Sequence, residues 1–138
     1  MGIERFEDLK SWQEARTLAR VTYQLTEGES FRGHGLAWQL PDAAGSCMGN
    51  IAEAHGRYSF EDKRRFLDVA LGSCKELQSH LYIALDCKYI PQSGFDDTYR
   101  QADVVGRLIN GALNNLDLQI ANRSAARPGP RRRERPPR

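Results

Sequence analysis

The segment from Gly49 to Phe66, GNIAEAHGRYSFEDKRRF, carries the densest group of side chains that could do chemistry. Glu53 and His55 supply a carboxylate and an imidazole, the groups that general acid–base catalysis uses most often. On a helix, however, residues two apart point in directions about 200° apart around the axis. The two side chains therefore cannot face one ligand, and structural roles are favoured over catalysis.

The same segment has the residues expected at a junction between two helices. Gly56 suits the left-handed conformation that ends many helices. Ser59 can cap the next helix, with Asp62 at the third helical position. Asn50 and Glu53 are three residues apart, so they share a helix face and can reach an opposing helix end or a neighbouring subunit. We interpret Asn50, Glu53, Gly56 and Ser59 as structural residues of a helix joint.

A cationic cluster closes the segment, and it consists of Arg57, Lys63, Arg64 and Arg65. One interpretation is a solvated helix start whose charge is offset by nearby Glu and Asp residues. The other is a surface for an anionic partner such as RNA or DNA, which Lys and Arg bind through phosphates. The sequence favours the first interpretation and leaves the second open.

Other catalytic or cofactor sites find no support. Di-iron sites in helical bundles use a Glu three residues before a His, and no His of this chain has one. Glu76 and His80 are expected to form an exposed pair on one helix. Phosphate-binding loops, nucleophile elbows and zinc-protease motifs are absent from the sequence. We predict no cofactor, no metal ion and no enzymatic activity.

The formal net charge of +2 conceals two regions of opposite sign. Residues 1–122 carry 13 basic and 17 acidic side chains, and seven arginines with one glutamate follow them. Residues 123–138 are rich in Pro and Arg and have no large apolar side chain, so a disordered tail is predicted. Its arginines, Arg131, Arg132 and Arg133 among them, are a second candidate for contact with RNA or DNA.

Apolar residues recur every three to four positions in four segments, a pattern that predicts amphipathic helices. No segment alternates apolar and polar residues convincingly, so no strand is predicted. Four helices joined by short loops indicate an all-α fold, an antiparallel up-and-down four-helix bundle over residues 1–122. Small residues from Ala43 to Gly49 would let another helix approach closely.

Several residues carry local predictions within these helices. Pro41 predicts either a kink in the second helix or a helix start one residue before it. Asp96 or Asp97 is expected to cap the fourth helix. Trp12 and Trp38 are expected to be core or subunit anchors.

Membrane and secretory signals are lacking in this sequence. The longest apolar run is Leu81 to Leu85, well below the roughly 18 residues of a membrane span. Cys47, Cys74 and Cys87 have no CxxC spacing and fall in helical patterns, as buried thiols of a reducing compartment do. We expect a cytoplasmic protein without membrane contact.

Three segments together resemble a known family. They are FEDLKSWQEARTLA, GNIAEAHGR and RRFLDVALGSCKELQSHLYIALDCKYI, and they resemble the signature stretches of the 23S rRNA intervening-sequence family of four-helix bundles. That family is similar to the accessory variability determinant protein of diversity-generating retroelements, a basic ring that binds its reverse transcriptase and nucleic acid. The resemblance covers Phe6 to Asp117 and implies a homo-oligomeric ring, usually a pentamer, without an assigned activity.

The sequence also departs from the family pattern. Members often carry a basic pair where this chain has Pro41 and Asp42, and residues 1–122 are acidic overall. The nucleic-acid role of the retroelement relative therefore transfers less readily. We predict a non-enzymatic scaffold or adaptor that assembles with itself. The alternative is a nucleic-acid-binding accessory protein that uses the cationic cluster and the tail.

Overall fold

A computed structural model describes residues 2–31, 35–127 and 129. It contains helices α1 (Lys10–Thr26), α2 (Leu36–Gly56), α3 (Phe60–Asp86) and α4 (Gln92–Ala126), with 3-10 helices at Phe6–Asp8 and Glu29–Phe31. These described ranges contain no strand, and none of their helices is both long and apolar enough to span a membrane.

Successive helices run antiparallel. The His55 ring near the end of α2 lies 3.1 Å from the Glu4 carbonyl ahead of α1, and Arg64 at the start of α3 bonds Asp117 near the end of α4. Each helix packs against two others, α1 and α3 both lying against α2 and α4. The predicted up-and-down four-helix bundle is confirmed.

The core forms along the apolar stripes that helical spacing predicts. In α3 the residues at 67, 70, 74, 77, 81 and 84, which are three or four positions apart, are buried. The largest fully buried side chains include Leu18, Phe31, Leu40, Ile51, Leu77, Leu81 and Ile109. Burial of one such side chain contributes about 1.5–3 kcal/mol, so this shared interior holds the helices together.

Helix α2 begins before Leu40, which was one of the two predicted possibilities for its start. Its first residue is Leu36, and Pro41 lies inside it, so a helix start immediately before Pro41 is wrong. In the second turn Pro41 removes only the backbone hydrogen bond to the carbonyl of Ala37. The ring of Pro41 is buried, and its packing offsets that loss.

Helix α4 also begins earlier than predicted. Pro91 is its N-cap residue, with φ −73° and ψ 160°. Asp96 and Asp97 therefore lie within the helix rather than capping it, and they accept hydrogen bonds from Gln92 and Arg100. Proline suits a helix start because its missing N–H would have no helical partner there.

The C-terminal boundary differs from the prediction by four residues. Helix α4 ends at Ala126 rather than at residue 122, because Arg123 pairs with Glu61 of α3 and holds the last turn against the bundle. The predicted tail continues into residues 128 and 130–138, which lie outside the described residues. Arg131, Arg132 and Arg133 are among them.

The α2–α3 corner forms without a left-handed glycine. Gly56 is the last residue of α2, and its φ is not positive. The chain instead leaves the helix at Arg57, which is extended, with φ −81° and ψ 147°. Ser59 is the N-cap residue of α3, and its hydroxyl accepts the Asp62 backbone N–H at 3.1 Å. The prediction for Gly56 is wrong because Arg57 can make the turn within the ordinary extended region.

Candidate functional site

The Lys63 side chain is hydrogen-bonded to the end of α2. Its Nζ donates to the carbonyl oxygens of His55 at 3.0 Å and Ala54 at 3.3 Å. These carbonyls belong to the last turn of α2, where hydrogen-bond acceptors lack helical partners and the helix dipole is negative. The ammonium group therefore serves as a C-terminal cap that joins α3 to α2.

Arg64 bridges two carboxylates. Its guanidinium donates to Asp117 of α4 at 2.7 Å and to Asp68 of α3 at 2.6 Å. These hydrogen bonds, the one with Asp117 above all, raise the pKa of Arg64. The side chain joins α3 to α4 near the same end of the bundle.

Arg57 and Arg65 both lie against the ring of Phe66. Their guanidinium carbons are 4.4 Å and 4.5 Å from the ring centroid, within the range of a cation–π interaction. Arg57 also donates to Glu53 at 2.5 Å, and Arg65 lies 3.6 Å from Asp62. Each arginine thus has both an aromatic and an acidic neighbour.

The structure brings the predicted cationic cluster together but leaves it electrostatically satisfied. All four basic side chains contact carboxylates or backbone carbonyls within the chain. A phosphate would have to compete with these contacts, because its affinity comes from cations whose charge is not already compensated. This arrangement favours the interpretation of a neutralised helix start.

The remaining joint residues do not converge on one ligand. Asn50 donates its amide to the Ser46 carbonyl at 2.8 Å within α2, whereas Glu53 pairs with Arg57. His55 points instead to the backbone before α1. Glu53 and His55 therefore do not share a reaction centre, in agreement with their helical spacing.

The described histidine and cysteine side chains form no metal cluster. Among the described residues no group of three His, Cys, Asp or Glu side chains could hold an ion. His80 contacts Glu76 at 3.3 Å, as the helical spacing suggests, but it is only 22% exposed. Cys47 and Cys74 are fully buried, and their mutual hydrogen bond and burial raise the pKa of Cys47. Its thiol stays protonated and is a core side chain.

The outer face of α2 extends a feature that the sequence analysis identified only in part, as small residues from Ala43 to Gly49 that allow another helix to approach. Gly45, Gly49, Ala52 and Gly56 follow one another at spacings of four, three and four residues. We call these four residues the α2 seam. This is the heptad spacing at which one helix packs into another, and none of the four is buried. Hydrophobic periodicity overlooks the α2 seam because its residues are small rather than apolar and large.

Packing within the chain does not require the glycines of the α2 seam. A Cβ atom added to Gly45, Gly49 or Gly56 would have no non-local heavy atom within 4 Å. Glycine in a helix interior costs about 0.5–1 kcal/mol relative to alanine. Gly45 and Gly49 therefore lower the stability of the helix, and no packing contact in the described monomer compensates for this.

Trp38 extends the same face toward the start of α2. It is 74% exposed, so the expectation of a core position is wrong and that of a subunit anchor stays a prediction. The indole points outward because residue 38 lies opposite the buried stripe of Leu36, Leu40 and Ala44. Trp12, in contrast, is half-buried against the core, with its ring centroid 5.0 Å from that of Phe6.

Two cavities border this face at its opposite ends. One of about 390 Å³ lies between α1 and the start of α2 and includes Trp38 and Asp42. The other, of about 440 Å³, includes Gly49, Ala52 and Gly56. Both are surface recesses beside a face without bulky aliphatic side chains.

Residues 7–111 match the protein family described as 23S rRNA-intervening sequence protein. The chain belongs to this family. A structural relative is the crystal structure of a protein with unknown function from the S23 ribosomal protein family of Bacteroides thetaiotaomicron VPI-5482. It is 19% identical, with a TM-score of 0.69 over 75% of this chain and 97% of the other, and this likeness concerns the fold. None of the curated proteins matches this member of the family in sequence.

Proposed function

We propose that this member of the 23S rRNA-intervening sequence protein family is a non-enzymatic scaffold or adaptor that assembles with itself. The observation that carries the proposal is the α2 seam. Three glycines and an alanine at heptad spacing let another helix approach closely. A Cβ atom added to any of these glycines would meet no described residue of another element within 4 Å, with Phe6 bordering the recess beside them. A second copy would bury the face and so offset the helical cost of its glycines.

The proposed assembly is a cytoplasmic homo-oligomeric ring of five copies. In a head-to-tail contact, one surface of a copy meets a different surface of its neighbour. A closed ring covers both surfaces on every copy. The stoichiometry rests on the resemblance to the intervening-sequence family, and the cytoplasmic location on three unpaired cysteines. Multi-angle light scattering on the purified chain tests the proposal. A monomeric mass at micromolar concentration refutes it.

The absence of enzymatic activity is part of this proposal. The family description refers to an intervening sequence of 23S rRNA and names no reaction. The described side chains with acid or base character are spread over separate contacts, as Glu53, His55 and Lys63 illustrate. They do not form the nucleophile–base–orienter geometry that a catalytic centre needs.

The alternative is a nucleic-acid-binding accessory protein. It would use Arg57, Lys63, Arg64 and Arg65 together with the arginine-rich tail. The intramolecular contacts of these four side chains give it less support than the α2 seam gives to self-assembly. Its remaining basis is the tail, where residues 127–138 carry six arginines and a single acidic residue, Glu134.

A further inference from the structure

The cavity at the α1–α2 corner is lined by aromatic side chains and a proline. Tyr23, Phe31, Trp38 and Pro41 surround a volume of about 390 Å³. Phe31 is buried, whereas Tyr23 is 53% and Trp38 is 74% exposed. An exposed indole and phenol beside a recess form a surface onto which another flat or ring-shaped group can stack.

The rim of the same cavity is acidic. Glu27 and Asp42 line it, and its described lining has no basic side chain. Both carboxylates are exposed. Within the described residues, moreover, neither forms a salt bridge like those that neutralise the cationic cluster. In the described part of the chain, the cavity therefore combines stacking surfaces with two carboxylates that form no salt bridge.

This combination fits a segment rich in proline and arginine. Proline rings of a polyproline II helix dock between aromatic side chains. Arginine guanidinium groups stack on indole rings and form charge-assisted hydrogen bonds with carboxylates. A lysine-rich or acidic segment would lack one of these two matches.

The chain carries such a segment at its own C-terminus. Residues 127–138, RPGPRRRERPPR, contain six arginines, four prolines and a single glutamate. They follow directly on Ala126, the last residue of α4. The sequence composition thus matches both the aromatic lining and the acidic rim of the cavity.

The distance along α4 determines which copy the segment can reach. The cavity lies in the half of the bundle opposite the end of α4, since Leu25, the neighbour of its lining residue Thr26, is next to Gly94. Arg64 and Lys63 hold Asp117 level with the end of α2, so Ala126 lies roughly 14 Å beyond that level and Asp42 roughly 20 Å before it. Residues 127–133 span at most roughly 25 Å. The arginines at 131–133 therefore fall short of the rim on their own bundle.

We propose that residues 127–138 of one copy bind the cavity formed by Tyr23, Phe31, Trp38 and Pro41 on another copy, with Glu27 and Asp42 pairing with its arginines. The proposal rests on the proposed self-assembly. Trp38 lies on the same outer face of α2 as the α2 seam. A neighbour packed along the α2 seam is therefore the nearest source of a tail.

Photo-crosslinking of the full-length chain tests this exchange. Trp38 is replaced by p-benzoylphenylalanine in a chain labelled with ¹⁵N, which is mixed with an excess of unlabelled wild-type chain and illuminated. Chymotryptic peptides are then sequenced by mass spectrometry. The expected product joins the labelled peptide around position 38 to the unlabelled peptide that contains residues 127–138.

A control position and a charge reversal sharpen the test. The crosslinker in place of Tyr82, a half-exposed aromatic residue outside the cavity, should give no link to the tail. Replacing the rim carboxylates (Glu27→Lys with Asp42→Lys) should lower the yield of the tail link about fivefold through lost ion pairs. Reversal of two exposed acids on α3 (Glu76→Lys with Asp86→Lys) should leave it unchanged.

Light scattering on the same samples separates the two proposals. An oligomer whose position 38 links to the helical body of another copy, or to the tail of its own chain, overturns the tail exchange and leaves self-assembly intact. A monomeric mass at micromolar concentration overturns self-assembly and the tail exchange together.

Discussion

The hydroxyl oxygens of Ser46 and Ser73 lie 2.8 Å apart where α2 packs on α3. Side chains this short can meet only where two helix backbones approach closely. On the side of α2 facing α3, small residues thus already support a tight helix contact. The α2 seam has residues of the same size on the outer face of the same helix, where a Cβ atom added to its glycines would meet no described residue of another element within 4 Å.

A larger side chain on the α2 seam should therefore weaken self-assembly. Gly49→Gln should lower the association constant about 5- to 150-fold, because overpacking a close helix contact costs about 1–3 kcal/mol. Sedimentation equilibrium measures the change. The matched control is Gly111→Gln, at an exposed glycine of α4 that also has open space around it. Equal association constants for the two variants would contradict a role of the α2 seam in assembly.

Loss of the Lys63 ammonium should destabilise the bundle. Lys63→Met should lower the free energy of unfolding by about 1 kcal/mol, since two carbonyl oxygens at the end of α2 lose a hydrogen-bond donor. Urea denaturation followed by circular dichroism measures this. Lys75→Met, which removes a lysine with a single contact to Gln78, should change stability by less than about 0.5 kcal/mol. If both variants behave alike, the capping role is wrong.

RNA binding, where it occurs at low salt, should depend on the tail more than on the cationic cluster. Arg57 and Arg65 already contact carboxylates, so Arg57→Gln with Arg65→Gln should reduce affinity by less than about threefold. Arg131→Gln, Arg132→Gln and Arg133→Gln together should reduce it at least about tenfold and flatten its salt dependence. Fluorescence anisotropy with a single-stranded oligonucleotide gives both values. The reverse order of effects would contradict the interpretation of the cationic cluster as a neutralised helix start.

The end of α3 can be stabilised at one position. Lys88 adopts φ 60°, while Tyr89 and Lys88 donate to the Ala84 and Leu85 carbonyls in the pattern of a glycine-terminated helix. Lys88→Gly should raise the free energy of unfolding by about 0.5–1 kcal/mol, because glycine adopts this conformation without a Cβ clash. Lys88→Ala keeps the clash and should show no gain. Thermal and urea denaturation of the two variants provide the comparison.

The contact between α1 and α4 should weaken in acid. Gln101 donates its amide to the Glu14 carboxylate at 2.7 Å, and this hydrogen bond, followed by that of Lys10, lowers the pKa of Glu14. A carboxyl whose pKa is lowered by folding stabilises the fold above its unfolded pKa, and this contribution disappears as pH falls through the lowered value. Glu14→Gln should therefore flatten the acid limb of stability measured by denaturation between pH 5 and pH 3. An unchanged acid limb would exclude Glu14 as a contributor.

Much of the bundle follows from spacing along the chain. The buried stripe of α3 and the hydrogen bond from Asp62 to Ser59 both depend on residues three or four positions apart, and those relations are set within one helix or one turn. The errors lie at helix ends and at Trp38. Helix α4 begins after Pro91 rather than at Asp96 or Asp97, and α2 continues through Pro41. In both cases contacts with other helices outweigh the local preference of the residue.

The candidate sites show the same division. The sequence placed Arg57, Lys63, Arg64 and Arg65 in one cluster, and from the sequence alone their charges are free to bind an anion. The fold brings two partners beside them, namely Asp117, which lies 53 residues after Arg64, and the carbonyl groups at the end of α2. Hydrophobic periodicity also left out the α2 seam, since glycine carries no apolar signal. Its exposure becomes meaningful only when the space around each glycine is known.

The sequence by itself determined the all-α class, the number of helices and the buried stripes, because helical periodicity is written in neighbouring residues. Only the tertiary structure decided which charges neutralise each other, which glycines face open space, and that the aromatic cavity and the end of α4 lie in opposite halves of the bundle. Those properties are distances between residues far apart in the chain, and no local pattern encodes them.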